Sequence, residues 1–142
     1  MDAHPDQPIS VAAHPLVLVV DDSVDVIRLL ALVLRGSYEV IFATSGQVAL
    51  ELAHKRLPQA ILLDLEMPGM SGIDVAKALR GSVQTQRIPV VFVSADDPRT
   101  WSVAGLPPEG PQFTDIGWIR KPFTAQSVQD AVRSLLAEGI TP

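Results

Sequence analysis

The chain has 142 residues, 47% apolar and 19% charged, and its 11 basic against 16 acidic side chains give a net charge of −5. That length suits one domain with a self-sufficient core, and the composition excludes a mostly disordered chain. The absence of cysteine excludes a disulfide scaffold, thiol catalysis and a cysteine zinc site, and the acidic balance argues against direct nucleic-acid binding through phosphate contacts.

No apolar run reaches the length of a membrane span, so no membrane insertion is expected. The opening Met1-Asp2-Ala3-His4-Pro5 lacks a basic stretch followed by an apolar one, which makes the cytoplasm the expected location. Residues 1–15, with Pro5, Pro8 and Pro15 and no hydrophobic period, read as a flexible tail. Residues 16–139 read as the domain and 140–142 as its C-terminal end.

Leu16-Val17-Leu18-Val19-Val20 is a continuous apolar run, the pattern of a strand buried on both faces of a parallel sheet. Asp21-Asp22-Ser23 ends it, and Val24 to Leu34 reads as a strongly apolar helix closed by Arg35-Gly36. On a helical wheel Leu32 falls on the side of Asp25 and Arg28, an exposed place for a leucine. Val40 to Ala43 predicts a second strand. Ser45 to Arg56 predicts a second helix, with Val48 and Leu52 inward and Pro58 stopping it. His54, near its end, reads as a solvated side chain. Ala60 to Leu63 predicts a third strand running into Asp64. After Met67-Pro68-Gly69-Met70, Ser71 caps a helix to Arg80, with Asp74 completing a capping box. Val90 to Val93 predicts a fourth strand ending at Ser94, and Ile116 to Ile119 a fifth, followed by Arg120-Lys121-Pro122. Thr124 caps the last helix, Phe123 and Val128 form a hydrophobic staple, and Gly139 lies past its end.

Strands alternating with helices predict an α/β fold, a doubly wound five-stranded parallel sheet in the order 2-1-3-4-5. In such sheets the functional site lies outside the carboxyl ends of the strands. Asp21, Asp22, Asp64, Ser94 and Lys121 all fall there. Two like charges 4 Å apart repel by roughly 4 kcal/mol at an effective dielectric of about 20. Three carboxylates on one rim therefore call for protonation or a cation, and Mg²⁺ suits a site of few carboxylates completed by water. A lysine and a hydroxyl beside them supply what phosphoryl transfer to an aspartate needs, charge neutralisation and positioning.

These segments make the chain resemble the receiver domain of two-component response regulators, a flavodoxin-like fold. The resemblance rests on Leu18-Val19-Val20-Asp21-Asp22-Ser23, on Leu62 to Gly72, on Val93-Ser94-Ala95 and on Lys121-Pro122-Phe123, and it covers about residues 15–138. It implies that Asp64 is the phosphoacceptor and that Asp22, Asp64 and the Glu66 backbone carbonyl ligate Mg²⁺. It further implies that Asp21 holds a metal-bound water, and that Lys121 and Ser94 contact the phosphoryl group. Ser94 and Trp118 occupy switch positions, Glu66, Ala95 and Asp96 positions that tune hydrolysis, and Pro122 a position of frequent cis geometry. The implied phosphodonor is a sensor histidine kinase or a histidine phosphotransfer protein. The implied output is a downstream protein target, a missing output domain or a homodimer. The implied activity is self-catalysed phosphotransfer and autodephosphorylation, not turnover of a metabolic substrate.

Taken singly, each residue has a plainer reading: the aspartate pair as a helix cap, Ser94 as a loop serine, Lys121 as a surface lysine, Trp118 as core. The segment between Ser94 and Lys121 departs from the family pattern. Asp96-Asp97-Pro98 opens a helix with room only for Arg99 to Ala104, and Pro107, Pro108, Gly110 and Pro111 preclude regular helix after it. A short or displaced fourth helix and an irregular loop to about Thr114 are expected. That departure leaves a phosphorylation-independent binding module as the alternative function. An aspartate-nucleophile phosphatase is the third, suggested by Asp64-Leu65-Glu66 and opposed by the full strand-helix-strand-helix that precedes Asp64.

Overall fold

The computed structural model describes residues 14–95 and 116–140. Most of the N-terminal tail, the expected fourth helix, its following loop and residues 141–142 lie outside the described residues. Five strands, β1 (Leu16–Val20), β2 (Glu39–Ala43), β3 (Ala60–Asp64), β4 (Val90–Ser94) and β5 (Ile116–Arg120), form one parallel sheet in the order β2-β1-β3-β4-β5. Among the described residues four helices cover it: α1 (Val24–Leu34), α2 (Gly46–Arg56), α3 (Gly72–Arg80) and α4 (Ala125–Ile140).

The apolar runs lack polar alternation because both faces of the sheet are covered. Leu18, Val20, Ile61, Leu63, Val90 and Phe92 point to one face and pack with α2 and α3 residues such as Ala49, Ala53, Val75 and Leu79. Their neighbours Val17, Val19, Ala60, Leu62, Val91 and Val93 point to the other and pack with Ile27, Leu30 and Leu34 of α1 and Val128 and Val132 of α4. Period two therefore divides each strand between two cores.

Side chains just past strand ends start the helices. The Ser23 and Ser45 hydroxyls each accept a backbone N–H three residues on, at 3.3 Å. Ser71 and Asp74 form the reciprocal capping box, at 3.2 and 3.1 Å. Thr124 and Ser127 do the same at the start of α4, with both bonds at 3.0 Å. Each bond satisfies an N–H group that the first helical turn leaves without a partner.

Two expectations are corrected. Val48 is exposed, and the inward residues of α2 are Gly46, Ala49 and Ala53, with Leu50 and Leu52 half-buried. Gly46, Ala49 and Ala53 share one face at i, i+3 and i+7, which turns Val48 outward, and at the first turn Met70 sits so close that a Cβ on Gly46 would meet its side chain at 2.8–2.9 Å. Gly139 lies within α4, which runs to Ile140. Glycine weakens a helix interior by only about 1 kcal/mol, and without an accompanying stop the helix continues.

Identical chemistry at Leu62 and Leu32 should show what burial is worth, since Leu62 is fully buried and Leu32 is 58% exposed. Leu62→Ala should lower the unfolding free energy by about 2–5 kcal/mol in urea titration, whereas Leu32→Ala should change it by less than about 0.5 kcal/mol.

Candidate functional site

Parallel pairing brings the carboxyl ends of β1, β3, β4 and β5 onto one rim. Asp64 pairs in register with Val93, and Ser94 with Arg120, so the residues that follow each strand meet there. Asp21 and Asp64 are buried at 2% and 5% exposure, and Asp22 is exposed. One carboxylate oxygen from each lies within 4.8 Å of the others. Lys121, directly after β5, reaches in from the opposite side. Its Nζ is 3.4 Å from Asp64 Oδ1 and 3.6 Å from Asp21 Oδ2.

Backbone groups orient both buried carboxylates. The N–H of Ser23 donates to Asp21 Oδ1 at 2.9 Å, and the N–H of Glu66 donates to Asp64 Oδ1 at 3.3 Å. Asp21 Oδ2 is buried and has no hydrogen-bond partner, Lys121 standing just beyond reach. Burial first, and then the charge of Asp21, push the Asp64 carboxyl above the usual carboxylate range, against the opposing pull of Lys121. Asp21 is raised as well, chiefly by burial. One ammonium thus faces two buried carboxylates and a third exposed one. A hard divalent cation fits this site on two counts, the all-oxygen donor set and the orphaned buried oxygen of Asp21.

Ser94 is 3% exposed and tied to β5 through its backbone. Its carbonyl accepts from the Lys121 N–H and from the Trp118 indole Nε1–H, both at 3.0 Å. Trp118 is half-buried against the core on the α2–α3 face, so it joins the rim to that core. The Lys121–Pro122 peptide bond is cis. Glu66 and Ala95 are exposed beside the site, and Asp96 lies outside the described residues. His54 is away from this rim. Its Nδ1 is 2.9 Å from the Leu50 carbonyl, to which it donates, and its Nε2 is 3.1 Å from the Ser82 hydroxyl.

Sequence reasoning missed Gly72 as a positioning residue. A Cβ there would collide with the Asp64 backbone carbonyl oxygen, and the Gly72 N–H donates to the Leu65 carbonyl at 2.9 Å. The start of α3 can press on the end of β3 only because this residue has no side chain. Its signal was present as the glycine directly after the capping serine. Gly69, in the same loop, has φ +76° and holds the left-handed turn between Pro68 and Met70.

Removing a charge should separate repulsion from attraction. In EDTA, Asp21→Asn keeps the acceptor oxygen for Ser23 and relieves repulsion, so its midpoint temperature should rise. Lys121→Met strands two carboxylates and should lose about 1–3 kcal/mol by denaturant titration, the lysine's partial exposure tempering the loss.

Comparison with known proteins agrees with this geometry. The family model of the response regulator receiver domain matches residues 17–133. "Response regulator PleD" of Caulobacter vibrioides is 39% identical over 120 residues, which are 84% of this chain and 25% of that protein. "Alkaline phosphatase synthesis transcriptional regulatory protein PhoP" of Bacillus subtilis is 34% identical over 121 residues, 84% of this chain and 48% of the relative. The chain thus spans between a quarter and about half the length of these relatives. Among solved structures, a putative response regulator from Chloroflexus aurantiacus superposes with a TM-score of 0.75 at 33% identity, covering 87% of this chain and 98% of the other. Chemotaxis protein CheY4 of Vibrio cholerae gives a TM-score of 0.74 at 26% identity, covering 87% and 99%. Fold, rim and sequence together place the chain in the response regulator receiver domain family of two-component systems.

Proposed function

We propose that this receiver is a phosphorylation switch with Asp64 as acceptor, fed by the phosphohistidine of a sensor kinase or phosphotransfer protein. The observation that carries the reading is the pairing of a buried Asp64 with Lys121 at 3.4 Å, on a rim of three clustered carboxylates. In the step, a carboxylate oxygen of Asp64 attacks phosphorus and the phosphorus–nitrogen bond to the donor imidazole breaks. The electron pair leaves with the imidazole nitrogen, which takes up a proton.

The chain's own groups serve that transfer by position and charge. The Glu66 N–H fixes one oxygen of Asp64, leaving the other as the nucleophile. Lys121 balances negative charge on the transferred group, as a compact cation suited to phosphoryl oxygens. The Ser94 hydroxyl hydrogen-bonds the same group. Asp22, Asp64 and the Glu66 carbonyl would hold Mg²⁺ directly and Asp21 through water, supplying further neutralisation of phosphoryl charge. Trp118 reports the outcome, because its indole N–H holds the carbonyl of the same Ser94.

Phosphorylation then biases a two-state equilibrium read by a downstream protein or an output domain. The protein is a cytoplasmic signalling component with self-catalysed phosphotransfer and dephosphorylation, and no metabolic turnover. Glu66 and Asp96 set the lifetime of the acyl phosphate, and Ala95 leaves access to Asp64 open.

The test is intact mass after incubation with acetyl phosphate and Mg²⁺. The wild type should gain one phosphoryl mass, and Asp64→Asn should gain none. A Trp101→Phe background, which leaves Trp118 as the only tryptophan, should change emission on adding beryllium fluoride. No adduct together with unchanged emission would instead identify a phosphorylation-independent binding module. Steady release of phosphate from a simple phosphomonoester would identify a phosphatase.

A further inference from the structure

The free edge of β2 carries an unusual combination of features. Among the described residues no strand pairs with its outer side. Its sequence, Glu39-Val40-Ile41-Phe42-Ala43, has one charge, and that charge is engaged by Arg56 at 3.5 Å. It has no lysine and no proline, the usual guards of an exposed edge. Phe42 is 59% exposed. Val40 packs against the α1–α4 core, and Phe42, two residues on, shares that face.

Beside Val40 lies an open cavity of about 510 Å³ lined by Arg28, Ala31, Leu32, Arg35, Tyr38 and Val40. Its floor is apolar and two guanidinium groups stand at it. Among the described residues Arg28 has only a solvent-exposed, 4.0 Å contact with Asp25, and Arg35 has no ion pair. An aromatic ring with cationic groups against its face is the complement of such a hollow.

Backbone phase sets how this edge can pair. The Glu39 N–H donates inward to Pro15, and the Ala43 carbonyl accepts inward from Asp21. By alternation, the N–H and C=O groups of Val40 and Phe42 point outward. A second β2, antiparallel with Ile41 on the two-fold axis, sets Val40 opposite Phe42 of the partner subunit. Both outward pairs then exchange hydrogen bonds. Directly opposed residues lie on the same face, so each exposed Phe42 comes to rest beside the other copy's Val40 and its cavity.

We propose that β2 is a homodimerisation edge, on which two copies form one continuous ten-stranded sheet and each Phe42 ring fills the α1–β2 hollow of the other. The interface is isologous, every contact occurring twice. Its strands run antiparallel across the junction, so the two acidic rims face opposite ends and both stay open. A single short edge falls at the small end of interface sizes, and the association is weak and concentration-dependent. The proposal does not depend on phosphorylation.

Sedimentation velocity from about 5 to about 500 μM reads it directly. The wild type should shift from monomer toward dimer, and Phe42→Asp should remain monomer at every concentration with an unchanged circular dichroism spectrum. Because the chain has no cysteine, register can be read by crosslinking. Ile41→Cys places two thiols on the axis at a non-hydrogen-bonded pair, where Cα atoms lie about 4.5 Å apart. Under mild oxidation it should form a covalent dimer at least about ten times faster than Val83→Cys, whose site is 85% exposed and measures random collision. A wild type that stays monomeric throughout would overturn the proposal. So would a dimer that Phe42→Asp leaves intact, or equal crosslinking rates for the two cysteine variants.

Discussion

Like charge held in a small volume is the constraint on which the functional end of this protein depends. Asp21 and Asp64 are buried, Asp22 stands beside them, and their oxygens crowd within 4.8 Å. Burial and mutual repulsion both favour protonation, as the raised carboxyls show. Lys121 offsets part of that charge, yet its Nζ stops 3.6 Å from Asp21 Oδ2 and leaves it without a hydrogen bond. The rim thus keeps an excess of buried negative charge that a bound cation would relieve, at a cost in stability without one.

The rest of the molecule makes that crowding possible. Two cores, one on each face of the sheet, fix five strand ends in register. The β3–β4 and β4–β5 pairings set Asp64 and Ser94 on the rim, and Lys121 follows β5 directly. Gly72 lets α3 approach the Asp64 backbone closely, and the carbonyl of Ser94 is held by Lys121 and Trp118 together. The link from Ser94 to Trp118 runs toward the core on the α2–α3 face, so a displacement of Ser94 has a physical route inward.

The strands and the residues at their carboxyl ends were readable from the sequence because each rests on a local signal, and the strand order followed from the doubly wound rule for alternating strands and helices. A buried parallel strand is a pure apolar run, and a polar residue at its carboxyl end stands out against it. The capping box of Ser71 and Asp74 was equally visible, being a spacing rule. Properties set by partners distant in the chain were not. Val48 looks like an inward residue until the packing of Gly46, Ala49 and Ala53 against the sheet sets the phase of the helix and turns it outward. Gly72 reads as loop chemistry until the Asp64 carbonyl appears beneath it. Phe42 reads as one more strand hydrophobe; the expected strand order already puts it on an edge, but its exposure is set by which helices cover that edge. Gly139 shows the reverse error, a local stop signal overridden by a helix that had no other reason to end.

Isothermal titration calorimetry with Mg²⁺ asks whether the acidic rim is a cation site before any phosphodonor is involved. The wild type should bind one ion per chain and gain midpoint temperature with Mg²⁺, and Asp22→Asn should lose both. Failure of the wild type to bind Mg²⁺ at millimolar concentrations, with a midpoint temperature indifferent to the ion, would contradict a cation site at this rim.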